Sequence, residues 1–168
     1  MTDLEKTLLE VKDLLDSHRI KFWLSGGQVL GLYRDGKFTD NEHDIDLGIF
    51  EEDVHKLLSL GILMDERKTP DGDYRVIKMD WKGVPVDFFI LNRRESIMWA
   101  ATHCEGFGYA YHIYPAKIFD NLQEIKFLGK KFLIPKCPDY LELEYGDWKT
   151  KKERWNCCEN PPCVKKHL

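Results

Sequence analysis

The sequence has no long hydrophobic run. Apolar stretches such as Phe88–Leu91 are far shorter than the roughly 20 residues that a helix needs to span a bilayer. The opening residues, Met1–Glu5, are charged, and no apolar segment of a signal peptide follows them. We therefore expect no integral membrane segment, no signal peptide and a cytoplasmic location.

The chain also lacks an excess of positive charge, since its formal net charge is −4. A nucleic-acid-binding domain usually carries a basic footprint, so we predict no nucleic-acid partner. The charge is uneven, because the segment from Lys149 to the C-terminus has six basic and two acidic side chains. This basic end is either a solvated terminus or a contact for an anionic substrate or membrane surface.

Repeats, low-complexity tracts and interdomain linkers are absent, and 168 residues suffice for one domain. We predict a domain over residues 1–150 and a basic, cysteine-containing tail over residues 151–168. The five cysteines are an odd number. In the expected cytoplasmic setting this predicts reduced thiols rather than a disulfide framework.

The hydrophobic pattern predicts an α/β (α+β) fold, with a mixed sheet flanked by helices and a short irregular C-terminal extension. A two-residue turn at Lys82–Gly83 should join two strands, over residues 74–81 and 84–91. Further strands are predicted at 22–24 and 44–50, helices at 3–18, 28–33, 95–102 and 138–145, and a hairpin around residues 129–130.

A glycine pair precedes the second predicted helix. Ser25, Gly26 and Gly27 follow a short apolar run, and Gln28 begins the helical pattern. Backbone N–H groups at such a helix start, together with the helix dipole, favour phosphate binding.

Acidic and apolar residues alternate a little further on, in Asp44-Ile45-Asp46-Leu47. In a strand both aspartates would face the same side with their Cα atoms about 6.6 Å apart, so their carboxylates can share one hard cation. A third carboxylate, Asp87, lies in a strongly apolar strand where an unpaired charge is costly. We therefore predict that the three aspartates are catalytic and bind Mg²⁺ or Mn²⁺ for phosphoryl chemistry.

The ordered motif GG-x-x-L-G-x-x-R-D-G … D-I-D-L-G, from Gly26 to Gly48, resembles the LicD/fukutin family of the DNA-polymerase-β-like nucleotidyltransferase superfamily. The strand around Asp87 and the segment from Tyr140 to Trp148 resemble later parts of the family pattern. The loop before Asp44 departs from it: Glu42 keeps only one of the two acids usual in the family, the usual tryptophan is missing, and His43 replaces a neutral or aromatic residue, which leaves substrate preference open.

The resemblance implies a metal-dependent transferase that moves a phospho-alcohol, such as phosphocholine or ribitol phosphate, from a CDP-linked donor to a sugar or glycan. It implies that Asp44, Asp46 and Asp87 form the metal site, and that Asp87 can also act as general base. Substrate-binding roles fall on the residues that match the family's glycine turn and arginines: Ser25, Gly26, Gly27, Gln28, Arg34 and Arg75. A salt bridge to the acidic loop is the alternative for Arg34.

Two other functions stay open at this point. One is an NTP-dependent nucleotidyltransferase that acts on a small molecule, sugar or protein, because the superfamily includes both chemistries. The other is a pseudoenzyme that only binds ligand, although the intact aspartate trio argues against it.

The cysteines suggest two further sites. Cys157, Cys158, Cys163 and His167 lie within eleven residues and include the ligand types of a tetrahedral zinc site, although adjacent cysteines seldom bind one ion. Free thiols in the tail are the alternative. A nucleophile built from Cys104 and a histidine lacks an orienting acid in the sequence.

Overall fold

The computed structural model describes residues 1–40, 42–62, 64–106, 108–152, 156–158 and 162–165. The helices are α1 (Asp3–Ser17), α2 (Gly26–Asp35), α3 (Val54–Leu58), α4 (Lys117–Asp120) and α5 (Asp139–Tyr145), with a 3₁₀ turn at Glu51–Asp53. The strands are β1 (Phe22–Leu24), β2 (Ile45–Phe50), β3 (Met64–Lys68), β4 (Tyr74–Trp81), β5 (Val84–Arg94), β6 (Ile97–Cys104), β7 (Gly108–Pro115), β8 (Gln123–Phe127), β9 (Lys130–Ile134) and β10 (Val164–Lys165).

The long strand β5 organises the main sheet because it has different neighbours along its length. Its first part lies between β2, which runs parallel to it, and β4, which runs antiparallel. Its last three residues pair with β6, which continues through β7 to β10. β8 and β9 form a separate hairpin. The predicted mixed α/β class is confirmed.

The first helix is formed as its pattern predicts. Thr2 and Glu5 make a reciprocal capping box at its start. Leu8, Val11 and Leu15 are fully buried in the core, on the face that the spacing of leucine and valine predicts. The same core contains the buried apolar faces of β1, β2 and β5.

The helix predicted over residues 95–102 is wrong, because Ile97–Cys104 is strand β6. This strand has partners on both sides, with β5 pairing its start and β7 its whole length. The backbone hydrogen bonds of two neighbours outweigh a short apolar pattern that fits either helix or strand.

The prediction of reduced thiols is wrong for one pair, since Cys104 and Cys158 form a disulfide with a sulfur–sulfur distance of 2.01 Å. The two cysteines are 54 residues apart, and sequence spacing gave no sign that they meet. Cys137, Cys157 and Cys163 are free. Disulfides persist mainly in oxidising compartments, so this bond weighs against the cytoplasmic location, which stays a prediction.

The tail has a second attachment, because Val164 and Lys165 pair with β7. The division into a domain at 1–150 and a tail at 151–168 stays a prediction. Among the described helices, none combines the length and the apolar character needed to cross a bilayer.

Gly48 in β2 provides a test of the sheet packing. It pairs with Trp23 of β1, and a Cβ at Gly48 would overlap the Trp23 indole ring. We expect Gly48→Ala to lower the free energy of unfolding by about 1–3 kcal/mol, measured by urea denaturation. Combining it with Trp23→Leu should make the two effects non-additive, and strict additivity would contradict this contact.

Candidate active site

The glycine turn between β1 and α2 is held from two sides. The Ser25 N–H donates to the carbonyl of Asp46 at 3.0 Å, which fixes the turn to β2. The Gly26 N–H donates to the hydroxyl oxygen of Tyr140 at 3.2 Å, which fixes it to α5. Gly26 has a φ of +56°, in the left-handed region that favours glycine.

Two carboxylates lie against this turn. A Cβ on Gly26 would lie 3.1 Å from Asp46 Oδ2. A Cβ on Gly27 would overlap Glu42 Oε1. The start of α2 therefore has acidic side chains packed on its backbone, where the helix dipole favours negative charge.

Glu42, Asp44 and Asp46 bring carboxylate oxygens within 4.8 Å of one another. Thr39 orients Glu42 by donating its hydroxyl to Oε1 at 2.8 Å. Asp44 lies just before β2 instead of inside the predicted strand, and the buried Gln28 holds this point by donating Nε2 to the Asp44 carbonyl at 3.0 Å. Glu42, which the sequence analysis treated only as a loop acid, is thus part of the cluster.

Asp87 lies beside Asp46, because the two are register partners in the parallel pair β2–β5. Paired residues on neighbouring strands face the same side of a sheet. Lys78 on β4 forms an ion pair with Asp87, so a lysine supplies charge compensation where the sequence predicted a metal. The hairpin turn at Lys82–Gly83 already implied that register, because it places Lys78 opposite Asp87.

Burial and mutual repulsion both disfavour ionisation in the cluster. Burial raises the pKa of Asp46 well above its ordinary value, and the negative charges of Asp44, Glu42 and Asp87 add to the rise. Burial also raises the pKa of Asp44 and of Glu42. Carboxylates gathered at this cost are typical of functional sites, and a cation would neutralise them.

Two cavities meet at Gly27 and Tyr145. The first, which we call the charged cavity, has a volume of about 320 Å³. It is lined by Arg34, Asp35, Lys37, Asp40, Asp147, Trp148, Lys151 and Lys152, among others. The second, the aromatic cavity, has a volume of about 360 Å³ and reaches Asp46. Its lining includes Trp23, Phe89, His112, Tyr114, Phe119, Tyr140, Glu144 and Cys157.

The two predicted substrate arginines lie in different places. Arg34 borders the charged cavity and donates to Asp35 and to the carbonyl of Trp148, so it does not pair with the loop acids. Arg75 is on β4, where burial lowers the pKa of its guanidinium. Its buried Nε has no hydrogen-bond partner among the described residues.

The zinc set predicted in the tail is not assembled. Cys158 is bonded to Cys104 and has no thiolate to offer, and His167 lies outside the described residues. Cys163 is buried beside His112 and Glu144. The same disulfide removes Cys104 as a nucleophile.

Comparison with known proteins identifies the family. Residues 19–137 match the model described as LicD/FKTN/FKRP, nucleotidyltransferase domain. The chain belongs to this family. The LicD-type domain is 28% identical over 159 residues to human ribitol 5-phosphate transferase FKRP, covering 85% of this chain and 31% of that protein. It is 27% identical over 154 residues to human ribitol-5-phosphate transferase FKTN, covering 86% of this chain and 33% of FKTN. The chain thus spans about a third of these relatives.

A solved structure supports the fold assignment of this LicD-type domain. The lincomycin-bound lincosamide antibiotic adenylyltransferase LnuA superposes with a TM-score of 0.56 at 16% identity. The superposition covers 84% of this chain and 86% of LnuA. The fold is therefore that of a nucleotidyltransferase.

Because Asp46 is partly buried among other carboxylates, we predict that neutralising its side chain stabilises the metal-free protein. Because the folded state raises the pKa of Asp46, its ionisation costs stability as pH rises above the ordinary carboxyl range near about 4. We expect Asp46→Asn to raise the Tm at neutral pH, and the gain to vanish as pH falls into that range. Thermal melts across pH measure both effects.

The control for this measurement is Asp71→Asn, which changes an exposed aspartate outside the cluster. It should leave the Tm nearly unchanged at every pH. A lower Tm for Asp46→Asn at neutral pH would mean that the cluster does not repel itself in the folded protein.

Proposed function

We propose that this domain is a metal-dependent transferase that moves a phospho-alcohol, of the phosphocholine or ribitol-phosphate type, from a CDP-linked donor to a sugar or glycan. The observation that carries the proposal is the group of carboxylates at the glycine turn, with Asp46 and Asp87 paired in register. The family membership and the activity named for FKRP and FKTN support the phospho-alcohol class.

The residues at the turn fit a hard divalent cation. The donor set of Glu42, Asp44 and Asp46 consists of oxygens only, which suits Mg²⁺ or Mn²⁺ and disfavours softer metals. Burial raises the pKa of each of the three carboxyls, and neighbouring carboxylates add to the rise, so a cation would favour the ionised forms. A bound cation would supply charge neutralisation at the donor phosphates.

The other polar residues have roles in positioning. Gln28 holds the backbone of Asp44, so it fixes where the cluster lies relative to the turn. Asp87 is only 7% exposed and is neutralised by Lys78, whose half-exposed ammonium can contact a donor phosphate. This ion pair disfavours the general-base role for Asp87, because taking up a proton would break the pair.

The cavities suggest where donor and acceptor bind. The charged cavity combines basic side chains and the indole of Trp148, which suit the phosphates and base of a nucleotide, with three aspartates. The basic residues are Arg34, Lys37, Lys151 and Lys152, and the aspartates are Asp147 together with Asp35 and Asp40, which pair with Arg34 and Lys37. The aromatic cavity reaches Asp46 from the other side of Gly27 and suits the apolar faces of a sugar. A donor and an acceptor placed this way would meet at the carboxylates.

Donor identity can be tested with the full chain, Mg²⁺ or Mn²⁺ and a panel of sugar acceptors. We expect release of CMP from CDP-ribitol or CDP-choline, because transfer of the phospho-alcohol to the acceptor cleaves the diphosphate linkage and leaves CMP. The Asp46→Asn variant should lose this release while remaining folded.

Other outcomes of the donor assay decide between the alternatives. Pyrophosphate release from an NTP would instead support a nucleotidyltransferase that acts on a small molecule, sugar or protein. No turnover of either donor, with unchanged metal affinity in Asp46→Asn, would contradict both enzymes and leave a ligand-binding domain.

Lys78 should contribute to turnover through its charge. We expect Lys78→Met to lower kcat/KM by roughly 10–100-fold, as is typical for residues that hold the ligands of a metal site. The matched control is Lys82→Met at the tip of the same hairpin, whose ammonium pairs with Glu10 on the surface. Equal kcat/KM for Lys78→Met and the wild type would contradict this role.

A further inference from the structure

A second group of metal-ligating side chains lies away from the carboxylate cluster. His112 on β7, Glu144 on α5 and Cys163 just before β10 bring ligand atoms within 4.8 Å of one another. All three residues are buried, with exposures of 6%, 8% and 3%. Burying an imidazole, a carboxylate and a thiol together is costly unless they bind one another or an ion.

The distances among the three ligand atoms match one face of a zinc tetrahedron. His112 Nδ1 is 2.7 Å from Glu144 Oε1 and 3.3 Å from Glu144 Oε2, so the two side chains pair in the absence of an ion. Cys163 Sγ is 3.8 Å from His112 Nδ1 and from Glu144 Oε2. Zinc binds nitrogen and oxygen at about 2.0–2.2 Å and sulfur at about 2.3 Å, which puts its ligand atoms about 3.3–3.6 Å apart. An ion between the three atoms would therefore need only small side-chain movements.

The outer hydrogen bonds are those that a metal site requires. Tyr114 donates its hydroxyl to Glu144 Oε1 at 2.7 Å, which leaves Oε2 as the oxygen nearest Cys163. His112 Nε2 lies 3.3 Å from Thr102 Oγ1, so in the tautomer with its proton on Nε2 the ring can donate a hydrogen bond to the threonine. In that tautomer the Nδ1 lone pair can bind an ion, which would replace the contact of Nδ1 with Glu144 Oε1. Such partners orient ligands and fix the histidine tautomer in metal sites.

The backbone also places the thiol. The Cys163 N–H donates to the carbonyl of Leu143 at 3.1 Å, and the Cys163 carbonyl accepts from the Ile113 N–H at 3.1 Å. Cys163 is thus fastened to the neighbours of both other ligands. The disulfide between Cys104 and Cys158 holds the preceding part of the tail to the end of β6.

We propose that His112, Glu144 and Cys163 bind a zinc-type divalent cation, through imidazole nitrogen, carboxylate oxygen and thiolate sulfur. His112 and Glu144 also line the aromatic cavity. The ion fastens the tail to β7 and α5, so its role is structural, and its ligands are distinct from the carboxylates proposed for the transfer reaction. The set differs from the predicted tail quartet in every ligand except Cys163.

Cobalt provides a specific probe, because a Co²⁺–thiolate bond gives a charge-transfer absorption that carboxylate sites do not give. The full chain, with its disulfide intact, is stripped with a chelator and titrated with Co²⁺. We expect one equivalent to produce this absorption and Zn²⁺ to abolish it. Zn²⁺ should also raise the Tm of the stripped protein.

Variants assign the absorption to its ligands. Cys163→Ser and Glu144→Gln should lose the Co²⁺ absorption or weaken Co²⁺ binding at least tenfold. Serine is chosen at position 163 because it is close in size to cysteine, so the variant should fold even if one with a smaller side chain would not. Cys137→Ser is the matched control, since Cys137 is also a buried free cysteine but lies outside this group. It should bind Co²⁺ as the wild type does.

Three results would overturn the site. They are no thiolate absorption in the wild type, an absorption that persists in Cys163→Ser, and an equal loss in Cys137→Ser. Asp46→Asn separates this site from the catalytic cluster, because it should keep the thiolate absorption whatever happens to turnover. Loss of the absorption in Asp46→Asn would also contradict the proposal.

Discussion

The repulsion among acidic side chains at the start of α2 is the constraint on which the site depends. Asp46 and Glu42 lie so close to the turn that a Cβ on Gly26 or Gly27 would displace a carboxylate oxygen. Burial then raises the pKa of each carboxyl in the group. The sheet, the Tyr140 hydroxyl and the Gln28 amide hold together what electrostatics would separate. A bound cation would reduce the unfavourable free energy of ionising these partly buried carboxylates.

Local patterns in the sequence predicted much of the fold. The capped first helix, the turn at Lys82–Gly83 and the hairpin at β8–β9 each depend on residues close in sequence, and their chemistry is visible there. Strand β6 was missed because its identity comes from two partner strands, which a short apolar window does not reveal. The Cys104–Cys158 bond was missed for the same reason, since tertiary contacts bring the two cysteines together.

In the candidate site, too, some residues could be predicted from local sequence patterns, whereas others are brought in only by tertiary contacts. Asp44, Asp46 and the glycine turn follow from alternation and spacing. Asp87 lies beside Asp46 as its register partner, whereas the carboxylate grouped with Asp44 and Asp46 is Glu42. The group that gathers around them does not follow from spacing, since Glu42 reaches the cluster only through the folded loop. His112, Glu144 and Cys163 come from three separate elements, so their meeting is a property of the sheet order and of the tail that returns to β7.

The register between β4 and β5 has a consequence for how this domain can vary. Lys78 and Asp87 face each other because a fixed number of residues separates them across the hairpin tip. A single-residue deletion in either strand would turn one of the two side chains to the opposite face of the sheet. The hairpin tip is exposed, so the residues there are under little packing constraint. Keeping the ion pair nevertheless requires the number of residues between Lys78 and Asp87 to stay the same, so this hairpin should tolerate changes of residue far more readily than insertions or deletions in its strands.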